Sequence, residues 1–191
     1  MNAPLPHTKS DIRADMRERR RTFVCSLEDI TRDALEEQLA ELLAPYLASA
    51  QIVGAYRAVG GEISPDAALE RARRLGRTVA YPCFGEDEDR FVFRAGDPDM
   101  PGPFRIPQPS PDAPEVRPDL ILVPLLAVGN GGMRIGQGKG HFDRVLAQVD
   151  GALVCGIGWQ MQRLAQDLPT DEWDVPLDLF VSPRGIEDFR S

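Results

Sequence analysis

Leu120 to Arg144, LILVPLLAVGNGGMRIGQGKGHFDR, is the stretch that decides the fold. Leu120 to Val123 is an unbroken apolar run bounded by Pro118 and Pro124, the pattern of a strand buried on both faces of a sheet. His141 to about Gln148 reads as a helix. Between the two stand six glycines in twelve positions, at 129, 131, 132, 136, 138 and 140. A buried strand feeding a helix through a glycine loop is the junction of an α/β protein, which gathers ligands at the carboxyl ends of its strands.

The same grammar extends in both directions. Upstream, Gln51 to Tyr56 reads as a strand, Ser64-Pro65-Asp66 caps a helix running to about Arg74, and Arg77 to Tyr81 reads as a second strand. Strand, helix, strand makes a parallel pair. Phe91 to Phe93 is a short strand, and Asp97 to Pro118 holds eight prolines in 22 residues, an extended connection over the surface. Downstream, Ala152 to Ile157 and Leu177 to Val181 complete the sheet. Two helices precede it: a basic surface helix from Lys9 to about Phe23, then one N-capped at Ser26 and ending near Pro45 to Ala48. The expectation is one three-layer α/β domain over residues 1–191, with a mostly parallel sheet and helices on both faces.

Composition removes several classes of function. With 42% hydrophobic and 27% charged residues among 191, the chain is an ordinary globular one. A net charge of −8 argues against general nucleic-acid binding, which needs an excess of cations. The longest apolar stretch, Leu120 to Val128, contains Pro124 and is far short of a membrane span, and the N-terminal residues have neither a secretory nor a transit pattern. Cys25, Cys83 and Cys155 are odd in number and far apart, which fits a reducing cytoplasm and three buried small hydrophobes. The expected molecule is a cytoplasmic monomer. His7 sits in a Pro-flanked tail with no evident role, and Trp159 reads as core.

The glycine loop carries the chemistry. Successive amides without side chains form a cradle for phosphates, against the alternative of a merely flexible connection. Lys139 adds a point charge, Arg134 a second cation, and Asp143 a carboxylate for a hard divalent ion. Neither familiar nucleotide motif fits. In the P-loop pattern Met133 occupies the opening glycine position and Gly140 the hydroxyl position, and in the dinucleotide fingerprint His141 replaces the third glycine.

Pro124-Leu-Leu-Ala127, Gly131, Arg134-Ile-Gly-Gln-Gly-Lys-Gly140 and His141-Phe-Asp-Arg144 together closely resemble the signature of the 5-formyltetrahydrofolate cyclo-ligase, or 5,10-methenyltetrahydrofolate synthetase, family. Lys9 to Arg13, Tyr56 to Glu62, Tyr81-Pro82 and Leu168-Pro169 with Asp174 and Asp178 extend the resemblance along nearly the whole chain. It implies transfer of the ATP γ-phosphate to the formyl oxygen of 5-formyltetrahydrofolate, then ring closure by N10 and loss of phosphate. It also implies roles. Lys9, Arg13, Arg134, Gly136, Gln137, Gly138, Lys139 and Gly140 would bind ATP, Tyr56, Glu62, His141 and Phe142 the folate, and Asp143 and Asp174 a Mg²⁺ ion. Arg17, Arg19, Arg20 and Arg21 are left as solvated surface. This chain has His141-Phe142 where the family has Tyr-Tyr, which keeps open an ATP-dependent enzyme on a different substrate. A non-enzymatic polyanion-binding protein using the Arg-rich helix is the alternative of another class.

Overall fold

The computed structural model describes residues 8–85 and 90–190; His7 lies outside them. In chain order the elements are α1 (Lys9–Cys25), α2 (Asp29–Ser49), β1 (Ile52–Gly54), α3 (Asp66–Arg74), β2 (Thr78–Phe84), β3 (Phe91–Ala95), β4 (Leu120–Pro124), β5 (Ala127–Val128), β6 (Arg134–Ile135), α4 (His141–Leu146), β7 (Leu153–Ile157), β8 (Leu179–Ser182) and β9 (Gly185–Asp188). Seven strands form one sheet in the order β3-β2-β1-β4-β7-β8-β9. The five central strands are parallel, and β3 and β9 close the two edges antiparallel.

Strand β4 lies at the centre because it is apolar on both sides. Leu120 and Leu122 face α2 and α3, packing with Leu39, Leu43, Leu47 and Leu69. Ile121 and Val123 face the opposite layer, with Phe93, Leu146 of α4 and Phe180. A third cluster joins α1 to the β5–β6 hairpin through Ile12, Met16, Leu126 and Ile135.

Several boundaries differ from the sequence expectation. Ser26 does not open α2; its hydroxyl donates to the Phe23 carbonyl at 2.6 Å and closes α1. Helix α2 starts at Asp29 and runs through Pro45 to Ser49. The strand expected over Gln51 to Tyr56 is only Ile52–Gly54, since the chain leaves the sheet there towards the cavity described below. The hairpin β5–β6 and edge strand β9 differ from the expectation as well; two-residue strands and a four-residue strand are below what periodicity can register. Helix α1 is not a plain surface element, because Ile12, Met16 and Arg20 are buried. Cys83 and Cys155 are buried, as expected, but Cys25 is exposed. Trp159 is core, with its indole N–H donating to the Gly61 carbonyl at 2.9 Å. No helix among the described residues is long and apolar enough to cross a membrane.

Gly132 ties the glycine loop to the segment before β8, since its carbonyl accepts from Leu177 N–H at 3.0 Å. Its φ is +75°, and a Cβ there would lie 2.5 Å from the Leu177 carbonyl oxygen. Gly132→Ala should therefore destabilise the protein by about 2 kcal/mol or more, combining left-handed strain with a backbone clash. The urea unfolding midpoint measures it.

Candidate functional site

A cavity of about 760 Å³ opens at the carboxyl ends of β1, β2 and β4, and α1 lies along it. All fourteen residues chosen from the sequence line it: Lys9, Arg13, Tyr56, Glu62, Arg134, Gly136, Gln137, Gly138, Lys139, Gly140, His141, Phe142, Asp143 and Asp174. Four-residue spacing puts Lys9, Arg13 and Arg17 on one stripe of α1 and Ile12, Met16 and Arg20 on the adjoining one. The first stripe faces the cavity and the second is buried.

The glycine loop is held against α1. Arg13 Nε donates to the Gly136 carbonyl at 3.1 Å, and Arg17 donates to the Gln137 carbonyl and to its side-chain oxygen at 3.0–3.2 Å. Gly138 has φ +100°, and a Cβ there would press within 3.3 Å of the Arg13 guanidinium, so glycine is required. Among the described residues, the amides of Gly136 to Gly140 make no hydrogen bond to protein. Exposed Lys139 stands 5.1 Å from the Phe104 ring centroid. Helix α4 beyond the loop is only six residues long, so the loop amides and side chains, rather than a helix dipole, offer the positive potential.

Carboxylates already partner two of the cations. Lys9 Nζ bonds to Asp171 at 2.6 Å and to Asp174, whose other contact is the Asp171 amide at 2.8 Å. Burial works against the Lys9 ammonium, but the Asp171 and Asp174 bonds outweigh it and raise its pKa. Arg134 is almost wholly buried; it donates to Asp143 at 2.7 Å and to the Val175 carbonyl. Burial lowers its pKa, with Asp143 opposing. Val175 N–H reaches Asp143 at 3.4 Å, so the two carboxylate loops touch. No group of three His, Cys, Asp or Glu side chains suited to a metal occurs among the described residues.

At the inner end, Glu62 is 5% exposed. Its carboxylate accepts from Val59 N–H at 3.0 Å and from the Gln137 amide at 3.3 Å, and Arg20 lies 3.8 Å away. Burial raises its pKa, partly offset by the Val59 bond, Arg20 and Gln137. Tyr56 is buried beside it, its hydroxyl donating to the Ile63 carbonyl at 2.7 Å, and burial pushes its pKa well up.

The sequence reading missed part of the wall. Phe104, Ile106, Pro107 and Gln108 of the proline-rich connection line the cavity, so that segment is not just a surface strap. His141 packs edge-on against Phe84 with centroids 5.0 Å apart and lies tilted on Phe104 at 5.7 Å; Phe142 meets Phe91 at 5.2 Å. Trp173, 70% exposed, stands at the mouth. Arg17 and Arg20 were also missed. Their signal was present, since four-residue steps from Lys9 and Ile12 lead to them.

Comparison with known proteins identifies the family and the fold. The family profile described as the 5-formyltetrahydrofolate cyclo-ligase family matches residues 6–183. Proteins named 5-formyltetrahydrofolate cyclo-ligase from Mycolicibacterium smegmatis and Haemophilus influenzae are similar. The first is 28% identical over 197 aligned positions covering 97% of this chain and 99% of the relative. The second is 31% identical over 143 positions covering 69% and 76%. The solved structure of the Aquifex aeolicus 5,10-methenyltetrahydrofolate synthetase superposes with TM-score 0.80 at 25% identity, covering 96% of this chain and 93% of that one. The Mycoplasma pneumoniae synthetase shares the fold, with TM-score 0.73 at 22% identity over 92% and 98%.

The ion pairs separate structural from exposed charges. Asp143→Ala leaves the buried Arg134 guanidinium without its counter-charge and should cost about 2–3 kcal/mol of stability. Lys139→Ala, at an exposed position, should leave the urea midpoint unchanged.

Proposed function

The chain belongs to the 5-formyltetrahydrofolate cyclo-ligase family, and from that premise we propose that it converts 5-formyltetrahydrofolate and ATP to 5,10-methenyltetrahydrofolate, ADP and phosphate. The observation that carries the proposal is the single cavity joining a cationic glycine loop to a buried carboxylate through an aromatic wall. Those are the three chemistries that a polyphosphate, a pterin and the ring between them require.

In this reading the loop amides of Gly136 to Gly140 and the side chains of Lys9, Arg13 and Lys139 take the triphosphate. Glu62 pairs with the adjacent amino and ring N–H donors of the pterin, which match the two acceptor oxygens of an ionised carboxylate. Tyr56, His141 and Phe142 shape the remaining folate contacts. His141 and Phe142 fill the aromatic wall by packing, so replacing the family's Tyr-Tyr leaves the surface closed. The formyl oxygen attacks the γ-phosphorus, forming an O–P bond as the bond to the ADP oxygen breaks. The N10 lone pair then attacks the formyl carbon, the carbon–oxygen bond to phosphate breaks, and N10 loses its proton. The protein's task is alignment and charge neutralisation, with no covalent intermediate on a side chain.

Asp143 and Asp174 fit a Mg²⁺ ion that arrives with ATP. Each already faces a cation, and the amide of Val175, next to Asp174, reaches Asp143; two carboxylates are too few for a free-standing site but enough to anchor an ion completed by phosphate oxygens and water. Such an ion would neutralise charge on the phosphates. A cytoplasmic setting belongs to the same proposal, supported by the free thiols of Cys25, Cys83 and Cys155.

The assay is the absorbance of the methenyl product. Purified protein with ATP, Mg²⁺ and 5-formyltetrahydrofolate should give a steady rise that EDTA abolishes, and Lys139→Ala should lower kcat by about 10²-fold or more. Calorimetry should show Mg²⁺ binding only weakly without nucleotide. No absorbance rise, or full activity in Lys139→Ala, contradicts the assignment.

A further inference from the structure

Arg20 is a buried cation that the phosphate chemistry does not use. It is 6% exposed, on the buried stripe of α1 that adjoins the loop-binding one, and its stem packs within 3.5 Å of where a Gly61 side chain would begin. Its guanidinium donates to the Leu125 carbonyl at 3.4 Å and stands 3.8 Å from Glu62 Oε1. Burying an arginine is costly unless its charge is matched, and Glu62 is the carboxylate that matches it.

Glu62 has the complementary problem. Its turn is fixed by Val59 N–H on Oε2, by Glu62 N–H on the Val59 carbonyl at 3.2 Å, and by Arg32 donating to the Glu62 carbonyl at 3.0 Å. The turn aims the carboxyl group, but burial favours its neutral form. Other charged or titratable groups surround it: Arg17 on α1, bonded to Gln137; Arg32 and Glu36 on α2, paired with each other at 2.9 Å; and the neutral Tyr56 phenol, bonded to Ile63. Among the described residues, Arg20 is the cation that meets the carboxylate itself.

We propose that Arg20 is a positioning residue for the folate end of the site, holding the Glu62 carboxylate ionised and pointed into the cavity from behind. This rests on the reading of Glu62 as the pterin-binding group. A neutral carboxyl group would turn one acceptor into a donor and face a pterin N–H with another hydrogen. An uncharged residue 20 would therefore weaken folate binding without touching folate or ATP. Arg20 also shares the Leu125 carbonyl with Gln162, whose amide donates to it at 2.6 Å, so the orientation of Glu62 is tied to the end of β4.

The test is the pH dependence of kcat/KM for 5-formyltetrahydrofolate in wild type, Arg20→Met and Arg20→Lys. Activity should fall on the acid side as Glu62 gains a proton. Removing the cation raises the carboxyl pKa, so in Arg20→Met the acid limb should move up by about one pH unit. On that limb the folate KM should rise about tenfold with kcat changed less than about threefold, and the ATP KM should stay the same. Arg20→Lys keeps the charge and should restore the wild-type limb. In a Glu62→Gln background, Arg20→Met should cause no further rise in folate KM. If Arg20→Met does not fold, Arg20→Lys decides: a wild-type limb supports the role and a limb shifted by a unit overturns it. A folded Arg20→Met enzyme with an unmoved limb, or with kcat lost and KM unchanged, overturns it as well. A wild-type protein with no turnover retires the functional assignment instead, so the two failures are distinguishable.

Discussion

Strand β4 leaves the sheet while still buried, and the carbonyls of Leu125 and Leu126 take their hydrogen bonds from side chains. Both residues are at most 3% exposed, and each unpaired carbonyl would cost about 1–3 kcal/mol. Gln162, 1% exposed, supplies both bonds with its amide, at 2.6 and 3.1 Å, and its oxygen accepts from Trp159 N–H at 2.9 Å. Arg20 adds its bond to Leu125. The direction in which the chain departs from β4 is thereby fixed. The β5–β6 hairpin, the glycine loop that follows it and the Glu62 turn beside it inherit their positions from that corner.

Electrostatics is organised around the same corner. The chain carries a net charge of −8, yet Lys9, Arg13, Arg17, Arg134, Lys139 and Arg144 all line one cavity. The more deeply placed of them are matched in advance: Arg134 by Asp143, Lys9 by Asp171 and Asp174. An unmatched cation at that depth would cost more than its carboxylate partner does. Under the proposed function, an incoming polyphosphate would meet exchange rather than simple attraction, since Lys9 would share its ammonium between phosphate and the two aspartates. Lys139, which no carboxylate meets among the described residues, is the cation that the proposed phosphoryl transfer would leave best placed to follow moving charge.

The parts of this architecture legible from sequence are those written in local patterns. Leu120 to Val123 announced a central strand because both its faces are apolar, and the six glycines announced close backbone approach because few other residues tolerate it. The convergence of Tyr56, Glu62, Lys139 and Asp174 came through family resemblance, because nothing local ties positions so far apart. Arg20 was misread for a different reason. Charge suggested solvent, while its register with Ile12 and Met16 pointed inward, and in a helix the register wins when a partner such as Glu62 waits on the other side. Arg17 is exposed, as its charge suggests, and still lines the cavity through its bonds to Gln137. Ser26 was misread because a hydroxyl beside two acids looks like a helix start, whereas here it satisfies the last carbonyls of the helix before it.

The proline-rich connection shows how composition can mislead in the opposite direction. Eight prolines between Asp97 and Pro118 exclude a helix and suggest an inert strap. The segment instead presents Phe104 and Ile106 to the cavity, and Phe104 and Arg105 both hold positive φ, 58° and 60°. A left-handed pair of non-glycine residues costs about 1–3 kcal/mol per residue and persists only when its surroundings over-determine it. Here Pro101, Pro103 and Pro107 restrict the neighbouring backbone, and the Met100–Gln108 bridge, with bonds of 2.9 and 3.0 Å in both directions, pins the two ends. Prolines also lower the entropy of the unfolded chain, so a rigid loop can be ordered with little packing of its own. The outcome is a stiff aromatic panel facing Lys139 and His141, built from residues that a pattern of helices and strands would pass over.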